Sequence, residues 1–378
     1  WRGEINSITI TLKTRVDAFK IKTGLDLAVS LVNGVGQFVG IDFRYNIERW
    51  HLPLLFYELS KAYMIPLSGM RLTSVWHILG VGAIGMRWAR KLKLAGESVT
   101  LILRDEQKLQ DFVAAGSGIR YLSHLGEEFV PFPATSLDDS TLQIENLLLC
   151  TKSYSLIGAY EAVRDRLVDS ADLVLLCNGY GVQQKLSDSA TAHRVWAAST
   201  TSGANSATPF HLTLAGDGRT ELGPLNRLAS EADCPLLNLP RHARAKDIET
   251  TLWQKVAVNA CINPLTALYQ LTNGELLESS TALMRMSRVA DEIEELSEIL
   301  NKPLFDDALL NVATEVCRTT AANRSSMLQD RINQRPSEIE WITGAILSLA
   351  DTAQLDLNEN RILLEQIRAL EATRLPTN

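Results

Sequence analysis

The run Gly80-Val81-Gly82-Ala83-Ile84-Gly85 sets three glycines at GxGxxG spacing, between the apolar stretch VWHIL and the helical stretch MRWARKLKLAG. A second apolar run, SVTLILR, follows, so the pattern reads strand, glycine turn, helix, strand: a βαβ unit. Each glycine has a physical task. Gly80 permits the tight turn, Gly82 lets backbone N–H groups approach a pyrophosphate, and Gly85 lets the helix pack closely on the strand. The positive end of the helix dipole adds to the attraction for a phosphate. The chemistry implied is dinucleotide binding; a glycine turn without a ligand is the plain alternative. The second strand ends in Arg104, where versions that hold a free ribose 2′-hydroxyl carry Asp or Glu. An arginine attracts a 2′-phosphate that an acid would repel, which favours NADP. Asp105 follows directly and would serve a free ribose if it turned inward. Two further apolar runs end in polar residues, NLLLCTK in Lys152 and DLVLLCN in Asn178 of Asn178-Gly179-Tyr180-Gly181. Ligands of an open parallel sheet bind outside the carboxyl ends of its strands, so Gly80, Arg104, Lys152 and Asn178 are expected to line one crevice. RVWAASTTSGAN is a further strand and turn that would bring Thr200 to Asn205 toward the nicotinamide.

A second constellation lies in DIETTLWQKVAVNACINPLTALYQLTNGELL, where Lys255, Asn259 and Asn263 recur at four-residue spacing. That spacing places them on one face of a helix. Amides among so many apolar neighbours are expected to be at least partly buried, and each left without a partner would cost about 1–3 kcal/mol. Either something satisfies them, or the stripe simply faces solvent. Pro264 removes a donor and restricts Asn263, so a break or kink is expected there. Later, Ser337 and Glu338 open the amphipathic run IEWITGAILSLADTAQ and read, by themselves, as a helix start with acid at the positive dipole end.

The elements that position these residues ask for two cores, since 378 residues exceed what one hydrophobic core usually serves. The fold class is α/β, with a Rossmann-type nucleotide-binding half over 70–240 and a helical half over 241–378. Residues 1–69 follow no pattern leading into that unit; they read as an extension outside it or as a small helical appendage. A hydrophobic content of 46% and a charged content of 21% are those of an ordinary globular protein. A formal net charge of -7 argues against nucleic-acid or anionic-membrane partners. Cys150, Cys177, Cys234, Cys261 and Cys317 form no C-x-x-C pair and suit buried thiols in a reducing, cytoplasmic setting. The six histidines show no ligand spacing, so no metal is expected. No apolar run approaches the roughly 18 residues of a membrane span.

Taken in order, GVGAIG with Arg104, LLLCTK, LLCNGYG, LWQKVAVNACINPLTALYQLTNG, NRSSMLQD and SEIEWITGAI resemble the ketopantoate reductase family from about Val75 to Glu371. The resemblance implies a dinucleotide-binding domain followed by an all-helical domain of the 6-phosphogluconate-dehydrogenase kind, with the active site between them. It implies NADPH-dependent reduction of 2-dehydropantoate to (R)-pantoate, a step toward pantothenate and coenzyme A, by a monomer or homodimer. Lys255 matches the catalytic lysine, and Asn259, Asn263, Asn273 and Ser326 match substrate-binding positions. Asn178 matches an asparagine near both cofactor and substrate, Glu338 an acid touching the cofactor near the lysine, and Lys152 a lysine of the cofactor cleft. The loop Ser202-Gly203-Ala204-Asn205 departs from the family pattern, which bears on the cofactor contacts of Asn205. The alternatives are a reductase of the same fold for another 2-oxo acid or ketone, and a non-catalytic NADP-binding sensor.

Overall fold

A computed structural model describes residues 8–12, 39–43 and 75–373, apart from 125, 207, 215 and 217. The chain divides into two units, 1–71 and 72–378. In the first, β1 (Ile8–Leu12) and β2 (Val39–Phe43) pair antiparallel with Ile8 opposite Phe43. These ten residues are strand rather than helix; the rest of the expectation for 1–69 lies outside the described residues.

The second unit begins with β3 (Val75–Leu79), α1 (Ala83–Leu94), β4 (Ser98–Leu103) and α2 (Glu106–Ala114). A hairpin of β5 (Gly118–Ser123) and β6 (Gly126–Pro131) follows, then β7 (Ala134–Ser136), β8 (Ile144–Leu149), α3 (Leu156–Glu161) and β9 (Leu167–Leu175). Next come α4 (Val182–Ser189), β10 (Arg194–Thr200), β11 (Ala204–Asn205), β12 (His211–Leu214), β13 (Thr220–Pro224), α5 (Arg227–Ser230) and β14 (His242–Arg244).

Eight strands form one sheet in the order β14-β13-β10-β9-β8-β3-β4-β7. The strands from β10 to β7 run parallel, and only the β10–β13 pairing is antiparallel. β8 shows why this is a two-sided sheet: Leu147, Leu148 and Leu149 are all fully buried, with no alternation. Trp76, Trp88 and Trp196 fill the layer against one face. A second, four-stranded sheet has the order β11-β12-β5-β6. The sheet runs past the expected boundary at 240, because β14 pairs with β13, and the helices begin only at Ile248.

The helical half comprises α6 (Ile248–Tyr269), α7 (Asn273–Glu278), α8 (Ser280–Ile299), α9 (Leu309–Thr319), α10 (Ser326–Ile332), α11 (Ile339–Thr352) and α12 (Asn358–Ala372). α6 is its axis and packs against α8, α9, α10, α11 and α12. The helix does not break at Pro264; it continues to Tyr269. A proline inside a helix costs about 3 kcal/mol. Full burial of Leu265 and near-full burial of Ile262, at roughly 1.5–3 kcal/mol each, offset it. All five cysteines are free, four of them buried. Among the described residues no helix is long and apolar enough to cross a membrane.

Candidate active site

The glycine turn has the geometry its spacing implied. Gly80 has φ +101°, and a Cβ on it would lie 2.6 Å from the Cys150 carbonyl carbon at the end of β8. A Cβ on Gly85 would fall 2.1 Å from the Gly80 carbonyl oxygen, so α1 packs against the turn only because that position is bare. Gly82, by contrast, is exposed, and a Cβ there would meet no protein atom within 4 Å. It precedes α1 without any side-chain cap, leaving the positive end of the helix open toward that space. Val81, Ala83 and Ile84 are half-buried around it. A dinucleotide pyrophosphate fits this cradle.

Arg104 stands at the end of β4 with its side chain 77% exposed, its Nε 2.8 Å from Asp105 Oδ2. The other oxygen of Asp105 accepts the Lys108 backbone N–H at 2.7 Å, so Asp105 is the cap of α2. The hydrogen bond from Arg104, then that from Lys108, hold its carboxyl below the usual range. Asp105 is thus engaged at the head of α2, with the exposed Arg104 side chain beside it.

Lys152, Asn178 and Glu338 come together directly. Glu338 is 3% exposed. Its Oε1 accepts from the Ser153 N–H at 2.9 Å and the Ser153 hydroxyl at 3.1 Å. Its Oε2 accepts from Asn178 Nδ2 at 3.0 Å and Lys152 Nζ at 3.4 Å. Burial alone would raise its pKa, yet Lys152, Ser153 and Asn178 together hold it below the ordinary value. Glu338 thus heads α11 without capping it; the acid turns to the sheet half, and Ser337 Oγ accepts the local N–H of Ile339 at 3.3 Å instead. Lys152 also pairs with the buried Asp330 of α10 at 2.6 Å. Burial raises the pKa of Asp330 in spite of that pairing. Asp330 and Ser153 were missed from sequence; a buried acid four residues after Ser326 on α10 was the available signal.

On α6, Lys255, Asn259 and Asn263 share a face. Lys255 Nζ donates to the Thr200 carbonyl at 3.1 Å, across to the end of β10. Burial lowers its pKa, while the charge of Glu338 acts in the opposite sense. Asn259 is half-buried and Asn263 buried, and among the described residues neither amide has a side-chain hydrogen bond. That leaves them free to hold a ligand. Ser326 is the half-buried first residue of α10, whose cap is Ser325: its Oγ accepts from Leu328 N–H at 3.0 Å and from the Thr266 hydroxyl at 2.6 Å. Asn273 is engaged elsewhere, its Nδ2 bonding Thr320 Oγ1 at 2.8 Å, although its buried Oδ1 has no partner. Asn205 pairs by backbone with Thr213 across β11–β12; its side chain lies outside the described residues.

Residues 76–227 match the family model described as ketopantoate reductase PanE/ApbA, and 247–371 match that of its C-terminal domain. A 2-dehydropantoate 2-reductase of Vibrio cholerae is 32% identical over 312 residues, covering 78% of this chain and 97% of that protein. The crystal structure of a PanE/ApbA family ketopantoate reductase from Ralstonia eutropha JMP134 is 25% identical, covers 79% of this chain and 98% of its own, and superposes with a TM-score of 0.68. D-mandelate dehydrogenase with NADH and anilino(oxo)acetate shares the fold, with a TM-score of 0.71 at 21% identity over 79% of this chain and 99% of its own. With both halves matched and the glycine turn, α6 stripe and Glu338 junction in place, the chain belongs to the ketopantoate reductase family.

Proposed function

We propose that this chain reduces 2-dehydropantoate to pantoate with NADPH, and that Lys255 is the proton donor. The observation that carries the reading is the buried Glu338 carboxylate gathered with Asn178 and Lys152 at the carboxyl ends of the sheet strands, with Lys255 on α6 reaching to the Thr200 carbonyl at the end of β10. When bound, the nicotinamide supplies the hydride to the C2 carbonyl carbon. The residues do the rest. Gly80, Gly82 and Gly85 admit the pyrophosphate, and Arg104 offers a guanidinium to a 2′-phosphate. Lys255, as an ammonium, stabilises negative charge developing on the carbonyl oxygen and delivers the proton that completes the alcohol. Its lowered pKa makes it a readier acid than a surface lysine. Asn259 and Asn263 supply amides to substrate oxygens, Ser326 a hydroxyl to the carboxylate, and Asn178 lies where cofactor and substrate meet.

The test is loss of NADPH absorbance by the full chain with 2-dehydropantoate and a panel of other 2-oxo acids, on wild type and Lys255→Ala. Turnover on 2-dehydropantoate, falling about 10²–10⁴-fold in the variant with NADPH binding retained, is expected. Near-normal turnover in Lys255→Ala, or turnover only on another oxo acid, would refute the corresponding part.

A further inference from the structure

Asn178 belongs to the loop Asn178-Gly179-Tyr180-Gly181, and the helical half grips that loop from two sides. On one side, the Tyr180 backbone N–H donates to the Trp341 carbonyl at 2.9 Å. Gly179, at φ +91°, passes so close to α11 that a Cβ would lie 2.7 Å from Trp341 Cβ. On the other side, the Tyr180 phenol donates to Glu249 Oε1 at 2.8 Å and accepts from Lys302 Nζ at 2.9 Å. Lys302 and Glu249 are themselves 2.5 Å apart. The Tyr180 ring packs edge-on to Trp253, centroids 5.4 Å apart, with the Lys302 ammonium 5.5 Å above its centre. Burial pushes the phenol up to about 12, so it keeps the proton it gives to Glu249.

None of these contacts reaches Lys255 or the glycine turn, yet they converge on Gly179 and Tyr180, the two residues that follow Asn178. The loop leaves a sheet strand but is fastened to α6, α11 and the Lys302 turn after α8. We propose that Tyr180, clamped by Glu249 and Lys302, is a positioning residue that fixes Asn178 against Glu338 and ties the Asn178 loop to the helical half. This rests on the reading of Asn178 as a residue at the meeting point of cofactor and substrate.

The experiment is Tyr180→Phe, which removes the hydroxyl and keeps the ring, with Lys302→Met and the double variant, all in the full chain. Because Glu249 is largely exposed, water replaces part of the lost bonding, and a loss of about three- to tenfold in kcat/KM for the oxo acid is expected. The double variant should lose no more than the worse single one, since the three groups act as a unit. Hydrogen exchange at the amides of 179–182 should quicken in each variant. Unchanged exchange, or losses that multiply in the double variant, would overturn the clamp. A wild type that reduces no oxo acid would sink the proposed reaction instead, and the exchange measurement would still decide the clamp.

Discussion

Replacing Lys152 by Met tests whether the junction between the two halves is a charge-balanced latch. Its ammonium lies 2.6 Å from Asp330 and 3.4 Å from Glu338, and the two carboxyls are 8% and 3% exposed. Removing one partner of a buried ion pair costs about 3–5 kcal/mol. The Lys152 side chain is 34% exposed, so water takes over part of its role, and about 2–3 kcal/mol is the expectation. The loss should depend on pH in a definite sense. Glu338 keeps Ser153 and Asn178, whereas Asp330 loses the partner that pairs with its carboxyl, so Asp330, already raised by burial, rises further. A carboxyl whose folded pKa exceeds its unfolded value of about 4 holds more protons folded than unfolded, so stability falls as pH rises through that window. The variant's deficit should therefore be small at about pH 4 and grow toward neutrality, by up to ~1.4 kcal/mol per unit of added shift. Urea unfolding of both proteins across that range measures it. A deficit that is constant with pH, or largest in acid, would refute the charge account and leave only lost packing of the lysine stem.

Arg104→Ala should raise KM for NADPH far more than for NADH, because the guanidinium offered at the end of β4 would meet only the 2′-phosphate; equal effects would refute that role. Glu338→Gln should move the high-pH limit of turnover to lower pH. Glu338 raises the pKa of Lys255 against the effect of burial, so its loss lets the lysine give up its proton earlier, and a limit that stays or moves upward would contradict the coupling.

What the sequence made legible has a local physical cause. The geometry of the glycine turn follows its spacing: Gly85 answers the Gly80 carbonyl within the βαβ unit, while Gly80 also clears the end of the neighbouring strand β8. The Lys255, Asn259 and Asn263 stripe follows from helical period alone. The errors lie where tertiary packing overrides a local rule. Pro264 is carried through because the last turns of α6 are buried on several sides. Glu338 does open α11 as the local rule expects, but its carboxylate turns from the cap to Ser153, Asn178 and Lys152, 185, 160 and 186 positions away. The hairpin β5–β6 and its pairing through β12 gave no usable signal, since GEEFVP alternates half-exposed and exposed residues.

That junction also explains how one lysine can serve two acids without the acids being equivalent. Glu338 accepts four hydrogen bonds from three residues, while Asp330 has Lys152 as its side-chain partner. Burial presses on both carboxyls, but only Glu338 has enough donors to stay below its ordinary pKa; Asp330 goes up. The acid kept ionised is the one whose charge reaches Lys255, and the same carboxylate holds the Asn178 amide. Glu338 therefore both holds the Asn178 amide at the end of β9 and acts on the proton affinity of Lys255 on α6.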